Sequence, residues 1–414
     1  MRFTVITYGT EGDTRPLVAV CRGLLQAGHD VSLLADRSTL GTAQAHAVPA
    51  YALSGDMKAT VGPGGALSKV MRTGGDVTQV AKAVARIANE NTSSWMREVG
   101  QQAARSDAIL FSGIASYVGL SVAEQLRIPA VGLGLWPVVC PTREFPSPLL
   151  PPWKMPGWLN RVSHEAVGAL TWTLFRAKIN AARAEVFGQA PRRRMWRDYP
   201  ILFGISRHLL PQPSDWQDIW KICGAWPLAS RRWEMPPTLK QFLAAGEPPI
   251  YVGFGSMSGF DSGKLLAIIV DAVAGRRALF YPGWSGIDGA ALPGNFCVLG
   301  DTPHDLLFPR ASVVIHHGGA GTSHTACRAG VPSVVVPFTG DQFFWAGRLA
   351  AAGVTPQYVP HTKINAQALS SMIACAGSPQ VARRAQALGR AMQEEDGVAC
   401  AVEHIERFAA SSAP

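Results

Sequence analysis

Apolar runs and amphipathic stretches alternate along the first half of the chain. The first run, FTVITYG, is short and rich in β-branched residues, which is typical of a buried parallel strand. The apolar residues that follow it fall on one helical face: Leu17, Val20, Cys21, Leu24 and Leu25. Gly28 then lies where a helix C-cap belongs, and DVSLLAD begins the next strand. The rhythm returns at DAILFS and PAVGLGL, and it predicts a parallel sheet covered by helices.

The same rhythm restarts at Pro249 in the second half. Successive strands are predicted at PIYVGFGS, RALFYPG, NFCVLG, ASVVIHH and PSVVVPF, and the chain ends in helical stretches from about 378 to 409. This repetition predicts an α/β protein with two Rossmann-like, doubly wound domains that face a cleft. We predict that the domains span 1–225 and 226–385, followed by a C-terminal helix within 386–414.

Two stretches break this rhythm. Residues 136–165 are dense in proline and tryptophan, and a loop of that length in a compact domain is usually functional. A helix is predicted after it, at about 160–187, followed by a strand at YPILFGIS. The second stretch, 207–248, is predicted to be the linker between the domains.

Composition narrows the class of protein. The chain has 414 residues, of which 47% are apolar, as expected for a globular protein of about two or three domains. Its net charge of +9 favours anionic partners. The densest basic run, at 191–197, carries no nucleic-acid-binding signature, so no nucleic acid partner is expected. We interpret this run as a solvated loop, with weak peripheral contact with a membrane as the alternative.

The cysteines and the apolar runs bear on location. Seven cysteines are scattered without a Cys-x-x-Cys pair, which argues against a disulfide framework or a zinc ribbon and favours a reducing compartment. No apolar run approaches the roughly 18–20 residues that a membrane span requires, and the N-terminus shows no cleavable signal. A cytoplasmic location is therefore expected.

The segment HHGGAGT, at 316–322, follows a strand and opens a helix. Its glycines allow a tight turn, and the N–H groups from Ala320 to Ser323 then form an anion site strengthened by the helix dipole. His317 adds a ring donor, or a charge if it is protonated. A diphosphate suits this chemistry, and the alternative is a glycine-rich turn with two incidental histidines.

Three further strand ends carry candidate ligands. Asp341 and Gln342 together offer the acceptors and donors that grip sugar hydroxyls, although Asp341 alone could be a helix N-cap. Ser256, after another strand, is a candidate hydrogen-bond donor to a phosphate. Trp284 could stack on a base or belong to the core.

The block at 303–349 strongly resembles the nucleotide-sugar-binding signature of the glycosyltransferases that include sterol glucosyltransferases and antibiotic-tailoring enzymes. YGTEGDTRPLVAV is similar to the first loop of that family, and PTREFPSP with LNRVSHEAV to the acceptor side of its sterol branch. The resemblance covers nearly the whole chain. It implies a GT-B fold, with an N-terminal acceptor domain, a C-terminal donor domain and terminal helices that cross back to the first domain.

The resemblance also implies inverting, metal-independent transfer of a sugar from a UDP-sugar to a hydroxyl, with no cofactor. Independently, the sequence has no Asp-x-Asp near a predicted strand end to bind a metal. Asp341 and Gln342 would hold the sugar. The other donor-binding residues that the resemblance implies surround the base and the diphosphate: Thr302, Pro303, His304, His316, His317, Gly319, Ala320, Gly321 and Thr322.

The incoming hydroxyl needs a proton acceptor. Many relatives carry a histidine after the first strand, whereas TYGTEGDTRP has none, so Asp13 is the predicted catalytic base. The alternative is that Asp13 caps a helix beginning at Thr14. Partial burial in the cleft would raise the pKa of Asp13 and make it a better base, whereas Arg15 could shift that pKa downward. Glu11 is a second carboxylate to consider.

The acceptor pocket is predicted from aromatic, proline and small residues of the first domain, namely Gly12, Trp136, Pro137, Thr142 and Phe145, with the loop around Trp153 and Trp158. Such a lining suits a flat apolar acceptor, such as a sterol, triterpenoid or polyphenol. Alternatively, these residues pack the loop onto its own domain. UDP-glucose is the expected donor, and a dTDP-deoxysugar is the alternative.

Three other functions remain to be distinguished. A helper protein would keep the donor site without turnover, although the presence of Asp13, His317, Asp341 and Gln342 argues against it. A nucleotide-sugar epimerase shares the two-domain layout, but the Pro/Trp-rich loop favours transfer. An NAD-dependent oxidoreductase would need G-x-G-x-x-G after the first strand, where YGTEGD supplies only Gly9 and Gly12.

Overall fold

The structure is a computed structural model that describes residues 1–61, 77–230, 233–255, 257, 261–283 and 292–411. Two of the predicted donor ligands, Ser256 and Trp284, lie outside the described residues. The described chain forms two parallel β-sheets, each covered by helices.

The first sheet has seven parallel strands in the order β3-β2-β1-β4-β5-β6-β7. The strand order reverses between the neighbours β1 and β4, which in such sheets marks the crevice where ligands bind. The strands are β1 Arg2–Ile6, β2 Asp30–Asp36, β3 Ala50–Leu53, β4 Ala108–Phe111, β5 Ala130–Gly134, β6 Ile201–Phe203 and β7 Trp220–Ile222.

Helices cover both faces of this sheet. In the first helix the predicted apolar face is buried: Leu17, Cys21 and Leu24 are fully inaccessible and pack in one core with Phe3 and Val5 of β1. The helices of this half are α1 Glu11–Gln26, α2 Leu40–Ala45, α3 Met57–Val61, α4 Val77–Gln102, α5 Ser116–Leu126 and α6 Gly157–Phe187.

The second sheet has five parallel strands in the order β10-β9-β8-β11-β12, with its own reversal between β8 and β11. The strands are β8 Ile250–Gly253, β9 Ala278–Tyr281, β10 Phe296–Val298, β11 Val313–His316 and β12 Ser333–Val335. The helices of this half are α7 Pro237–Ala244, α8 Ser262–Val273, α9 His304–Leu307, α10 Ala320–Arg328, α11 Gln342–Ala351, α12 Ala366–Ala376, α13 Pro379–Gln393 and α14 Gly397–Ser411.

The last helix returns to the first sheet. Ala401 and Ile405 of α14 are fully buried in the same core as Leu17 and Leu24 of α1. The prediction of two doubly wound domains with a C-terminal helix crossing back to the first is therefore confirmed.

The predicted linker at 207–248 is only partly a linker. Trp220–Ile222 pairs with Ile201–Phe203 as the edge strand β7 of the first sheet. A strand of three residues is too short to show a hydrophobic period, and the prolines around it are typical of a loop. The domain boundaries themselves stay a prediction.

The irregular loop ends earlier than expected, because α6 begins at Gly157 with Pro156 as its N-cap. In the basic loop, Arg193, Arg194 and Arg197 are exposed, as a solvated loop requires. Arg192 instead pairs with Glu124 at 3.1 Å. Among the described helices, none combines the length and hydrophobicity needed to cross a bilayer.

Candidate active site

The carboxyl edges of the two sheets face each other. Phe145, beyond β5, lies against Phe344 of α11 with their ring centroids 5.6 Å apart. The negative charge of Asp13, after β1, raises the pKa of Asp341, after β12. The turns that the sequence singled out therefore line one cleft, as expected where parallel strands end.

Asp13 is held inside the first turn of α1. The helix begins at Glu11 with Thr10 as its N-cap, and Asp13 lies three residues after Thr10 in a capping box. Its Oδ2 accepts a hydrogen bond of 2.8 Å from the Thr10 backbone N–H. The expectation of a helix capped by Asp13 and starting at Thr14 is therefore wrong, since Thr10 is the cap.

Burial raises the pKa of Asp13, and the hydrogen bonds from Thr10 oppose this increase. The predicted increase through burial is confirmed, whereas the lowering expected from Arg15 does not decide the net shift. Burial also raises the pKa of Glu11 and lowers that of His304, and the Arg15 charge acts downward on both. Glu11 accepts a hydrogen bond of 2.8 Å from Thr42 of α2, which leaves Asp13 as the better placed carboxylate.

The turn after β11 leaves a helix N-terminus open. Helix α10 begins at Ala320, and its N-cap Gly319 makes no side-chain capping bond. Ser323 N–H donates to Gly319 O at 2.9 Å, so the predicted set of free N–H groups ends before Ser323. The earlier N–H groups have no acceptor within the helix and can bind an anion.

The two histidines of this turn have different roles. His316 is fully buried, and its Nδ1 accepts a hydrogen bond of 3.1 Å from Gly318 N–H, so it fixes the turn rather than touching a donor as expected. His317 is partly exposed, and its buried Nδ1 has no hydrogen-bond partner among the described residues. Burial lowers the pKa of His317 to about 4, so its ring is neutral at pH 7 and offers no positive charge.

Asp341 occupies the N-cap position of α11 without acting as a cap. Its backbone is helical, with φ of −62° and ψ of −16°, and its side chain makes no capping hydrogen bond. Burial, followed by the charge of Asp13, raises the pKa of Asp341 to about 7. The Trp345 side chain opposes this increase, and the alternative of a simple N-cap is not supported.

Comparisons with known proteins agree with this geometry. Residues 280–402 match the family model described as the erythromycin biosynthesis protein CIII-like, C-terminal domain. A sterol 3-beta-glucosyltransferase of Arabidopsis thaliana is 30% identical over 98% of this chain and 68% of the plant protein. The O-mycaminosyltylonolide 6-deoxyallosyltransferase of Streptomyces fradiae is 30% identical over 99% of this chain and 98% of its own. This chain belongs to the family 1 glycosyltransferases.

The solved structure of glycosyltransferase VinC in complex with dTDP has the same fold as this glycosyltransferase. Its TM-score is 0.69 at 16% identity, over 99% of this chain and 100% of VinC. The predicted GT-B fold and the predicted enzyme class are therefore confirmed.

The predicted base-binding wall of the glycosyltransferase is built from aromatic rings. His304 stacks on Phe308 at 4.5 Å, and its Nε2 lies 2.9 Å from the Tyr251 hydroxyl, while burial lowers the pKa of His304 to about 4. Thr302 is buried, and its hydroxyl donates to Gly300 O at 3.1 Å. Pro303, the next residue, is partly exposed. Tyr251 and Phe308 are themselves buried in the core, so they fix the position of His304 rather than offer a surface to a base.

Gln342 is committed to its own turn. It is buried, and its Oε1 accepts hydrogen bonds from the backbone N–H groups of Phe338 at 2.7 Å and Thr339 at 3.2 Å. Its Nε2 lies 3.2 Å from the sulphur of Met257. Its oxygen is therefore occupied, and the predicted contact of Gln342 with the sugar stays a prediction for the amide nitrogen.

Two of the predicted acceptor residues are structural. Thr142 is fully buried and donates to Asp215 at 2.6 Å, which ties the loop to the segment after β6. Pro137 is buried as well. Both predictions are therefore wrong, since neither side chain offers a surface to an acceptor.

The remaining acceptor candidates reach the surface. Trp136 and Phe145 are partly exposed, and Gly12 is exposed in the first turn of α1. Phe344, which faces Phe145 from the other domain, was missed by sequence reasoning. Its place three residues after Asp341, in the segment DQFF that follows β12, was the available signal.

Proposed function

We propose that this glycosyltransferase transfers a hexose, glucose first, from a UDP-sugar to a hydroxyl of a flat apolar molecule such as a sterol, triterpenoid or polyphenol. The reaction inverts the anomeric centre and uses no metal. One observation carries the proposal: two carboxylates and an uncapped helix N-terminus meet in a single cleft.

The donor diphosphate binds at the start of α10. Backbone N–H groups of Ala320, Gly321 and Thr322 point outward there, and the helix dipole adds partial positive charge. Neutral His317 donates one further hydrogen bond. These fixed dipoles stabilise the charge that develops on the departing diphosphate, which is the work that a divalent cation does in other transferases.

The acceptor is activated from the opposite domain. Asp13 takes the proton of the incoming hydroxyl, and its raised pKa makes it a better base than a solvated aspartate. The leaving group departs on the side of the second domain, so attack from the first domain inverts the anomeric carbon. Asp341 holds hydroxyls of the sugar, and with a pKa of about 7 it can accept or donate a proton there.

A dTDP-deoxysugar donor is the second candidate. The Streptomyces fradiae relative is named as a 6-deoxyallosyltransferase and aligns over nearly the full length of both chains. VinC was solved with dTDP. The Arabidopsis thaliana relative is named as a sterol glucosyltransferase, which supports glucose and a sterol-like acceptor.

One assay separates these functions. Incubate the protein with UDP-glucose or dTDP-glucose and a mixed panel of sterols and phenols, with and without EDTA, and measure hexose addition by mass spectrometry. We expect product with UDP-glucose, unaffected by EDTA and with β configuration by NMR. Tight nucleotide binding without product would favour a helper protein, and isomerised UDP-sugar without acceptor would favour an epimerase.

We further propose peripheral contact with an anionic bilayer, through α6 rather than through the arginine loop. Four large apolar side chains of this segment are exposed: Trp153 (58%), Trp158 (63%), Val162 (47%) and Leu170 (55%). Lys154 and Arg161 are exposed beside the tryptophans. Tryptophan with flanking cations is the composition that interfacial segments use.

Vesicle sedimentation tests this contact. Binding is expected for vesicles containing phosphatidylserine, weakened several-fold by Trp158→Ser and unchanged by Arg193→Gln in the basic loop. Binding lost only in Arg193→Gln would assign the membrane contact to that loop, and no binding by the parent protein would reject the contact.

We also propose a cytoplasmic location, which the seven free thiols support, because reducing compartments keep cysteines unpaired.

A further inference from the structure

The chain leaves the first domain and returns to it at one place. A Cβ added to Gly224, which follows β7, would lie 3.1 Å from the Cα of Gly397, where α14 begins. Gly224 has a φ of +104°, and the Trp226 indole donates to Gly397 O at 3.0 Å. Only glycine allows this approach, so the start of α14 lies directly on the segment that follows β7.

This approach brings two thiols together. Cys223 is buried at the end of β7, and Cys400 is partly exposed in the first turn of α14. Cys223 belongs to a buried core against which Cys400 packs, and each thiol shifts the pKa of the other. The Cys223 sulphur also lies 3.9 Å from Lys221 O. The Arg207 guanidinium lies 3.8 Å from the sulphur of Cys400, and its Nε is held by Ile222 O at 3.2 Å.

These contacts favour the thiolate of Cys400. The contact with Cys223 and the charge of Arg207 lower the pKa of Cys400 to about 6, against burial and the opposing charge of Glu403. The same contact raises the pKa of Cys223, which stays protonated. A partly exposed thiolate beside an arginine is the environment of a reactive cysteine, and Cys223 is placed as its resolving partner.

We propose that Cys223 and Cys400 form a reversible disulfide that fastens α14 to the first sheet. The Cys400 thiolate attacks one sulphur of a low-molecular-weight disulfide such as oxidised glutathione, and one thiolate leaves. Cys223 then loses its proton, and its sulphur displaces the second glutathione from Cys400. Two protein thiols become one disulfide, while two electrons and two protons reduce oxidised glutathione to two thiols.

The site is independent of the sugar-transfer cleft. Glu395, just before α14, accepts hydrogen bonds from the Ser206 hydroxyl at 3.1 Å and from Arg207 N–H at 2.9 Å. The disulfide would therefore lock a junction that hydrogen bonds alone now hold. No residue assigned to donor or acceptor binding takes part in it.

Peptide mapping tests the disulfide. Treat the full chain with oxidised glutathione, block free thiols, digest without reduction and identify linked peptides by mass spectrometry. We expect a Cys223–Cys400 link that dithiothreitol reverses, and a Tm higher by about 5 °C because a long loop is closed. Cys375 is exposed and serves as the internal control. The free cysteines of the chain are Cys21, Cys140, Cys223, Cys297, Cys327, Cys375 and Cys400.

Variants check each step. Cys223→Ser is expected to stop at a glutathione adduct on Cys400, and Arg207→Gln to slow alkylation of Cys400 by iodoacetamide at pH 7 several-fold. A stable glutathione adduct on Cys400 of the unmodified chain would overturn the proposal. So would alkylation of Cys400 no faster than that of Cys375.

Discussion

The turns after β1 and β11 are built alike and finished differently. Each joins a buried parallel strand to a helix through small residues, and each lies at the cleft. The first helix closes its own N-terminus, because Thr10 and Asp13 satisfy each other as a capping box. The second has Gly319 as its N-cap and leaves its first N–H groups open.

The difference lies in where each turn keeps its polar groups. Capping by Thr10 locks Asp13 in one orientation, which suits a base that must meet a hydroxyl at a fixed place. The open start of α10 is fixed from its second turn instead: His324 donates from Nδ1 to Ala320 O at 2.8 Å and accepts at Nε2 from Ser206 N–H at 3.2 Å. A strand-to-helix turn can thus either fix the orientation of one side chain or leave backbone N–H groups free to bind an anion.

The largest effect is expected at the closed turn. Asp13→Asn keeps an oxygen for the Thr10 N–H but removes the base, so kcat should fall about 10³-fold. The Kd for UDP, measured by calorimetry, should stay within about twofold. Glu11→Gln is the matched control, because the Glu11 carboxylate is occupied by Thr42, and its kcat should change little. Equal losses in both variants would remove Asp13 from its role.

The Asp341 carboxylate is expected to bind the sugar and to lower the free energy of unfolding near neutral pH. Its pKa is about 7 in the folded protein against about 3.9 in an unfolded chain, so the folded state holds a proton that the unfolded chain releases between pH 4 and 7. Stability therefore falls as the pH rises through this window. Asp341→Asn should raise the free energy of unfolding by about 4 kcal/mol at pH 8 and hardly at all at pH 4.

Denaturant unfolding at both pH values measures this difference. Asp218→Asn is the control, because that side chain is fully exposed and its replacement should leave stability unchanged. The pH-dependent gain in Asp341→Asn should accompany a loss of transfer. A variant that is no more stable than the parent protein at pH 8 would contradict the burial of this charge.

At the open turn, Gly319→Ala should weaken nucleotide binding about tenfold. An added Cβ would lie 2.5 Å from Nε2 of His317 and would push that ring from its place beside the free N–H groups. A distorted hydrogen bond to a charged group costs about 1.5 kcal/mol. Gly347→Ala, in α11, is the control because its Cβ meets no atom within 4 Å. Matching UDP affinities in the two variants would argue against a diphosphate at this turn.

The smallest effect concerns the anchor of the open turn. Burial lowers the pKa of His324 to about 4, so the unfolded chain, with a pKa near 6.5, takes up a proton first as the pH falls. Stability is complete above pH 6.5 and is lost as the pH falls toward 4. His324→Gln should reduce the loss between pH 6.5 and 5.5 by about 1 kcal/mol.

Sequence predicted the places of these turns better than their internal contacts. Strand runs such as ASVVIHH and the glycines after them located the turns, because buried parallel strands and tight turns leave strong local patterns. The capping box was also legible, since Thr10 and Asp13 stand at the spacing of a threonine and an acidic residue in that motif. Asp13 within Gly-Asp-Thr also fits an N-cap, so the local pattern alone left two possible starts for the helix.

Other roles depended on contacts between distant segments. The oxygen of Gln342 is occupied by its own loop, and Thr142 is buried against Asp215, a residue far along the chain. No local period reports such pairings. Likewise Phe344 reads as an ordinary helix residue until the first domain places Phe145 in front of it.

The contact between Gly224 and Gly397 has a mechanical consequence. The two segments that join the lobes touch each other at this point. A rotation of one lobe against the other would therefore pivot near this contact rather than at two separate connections.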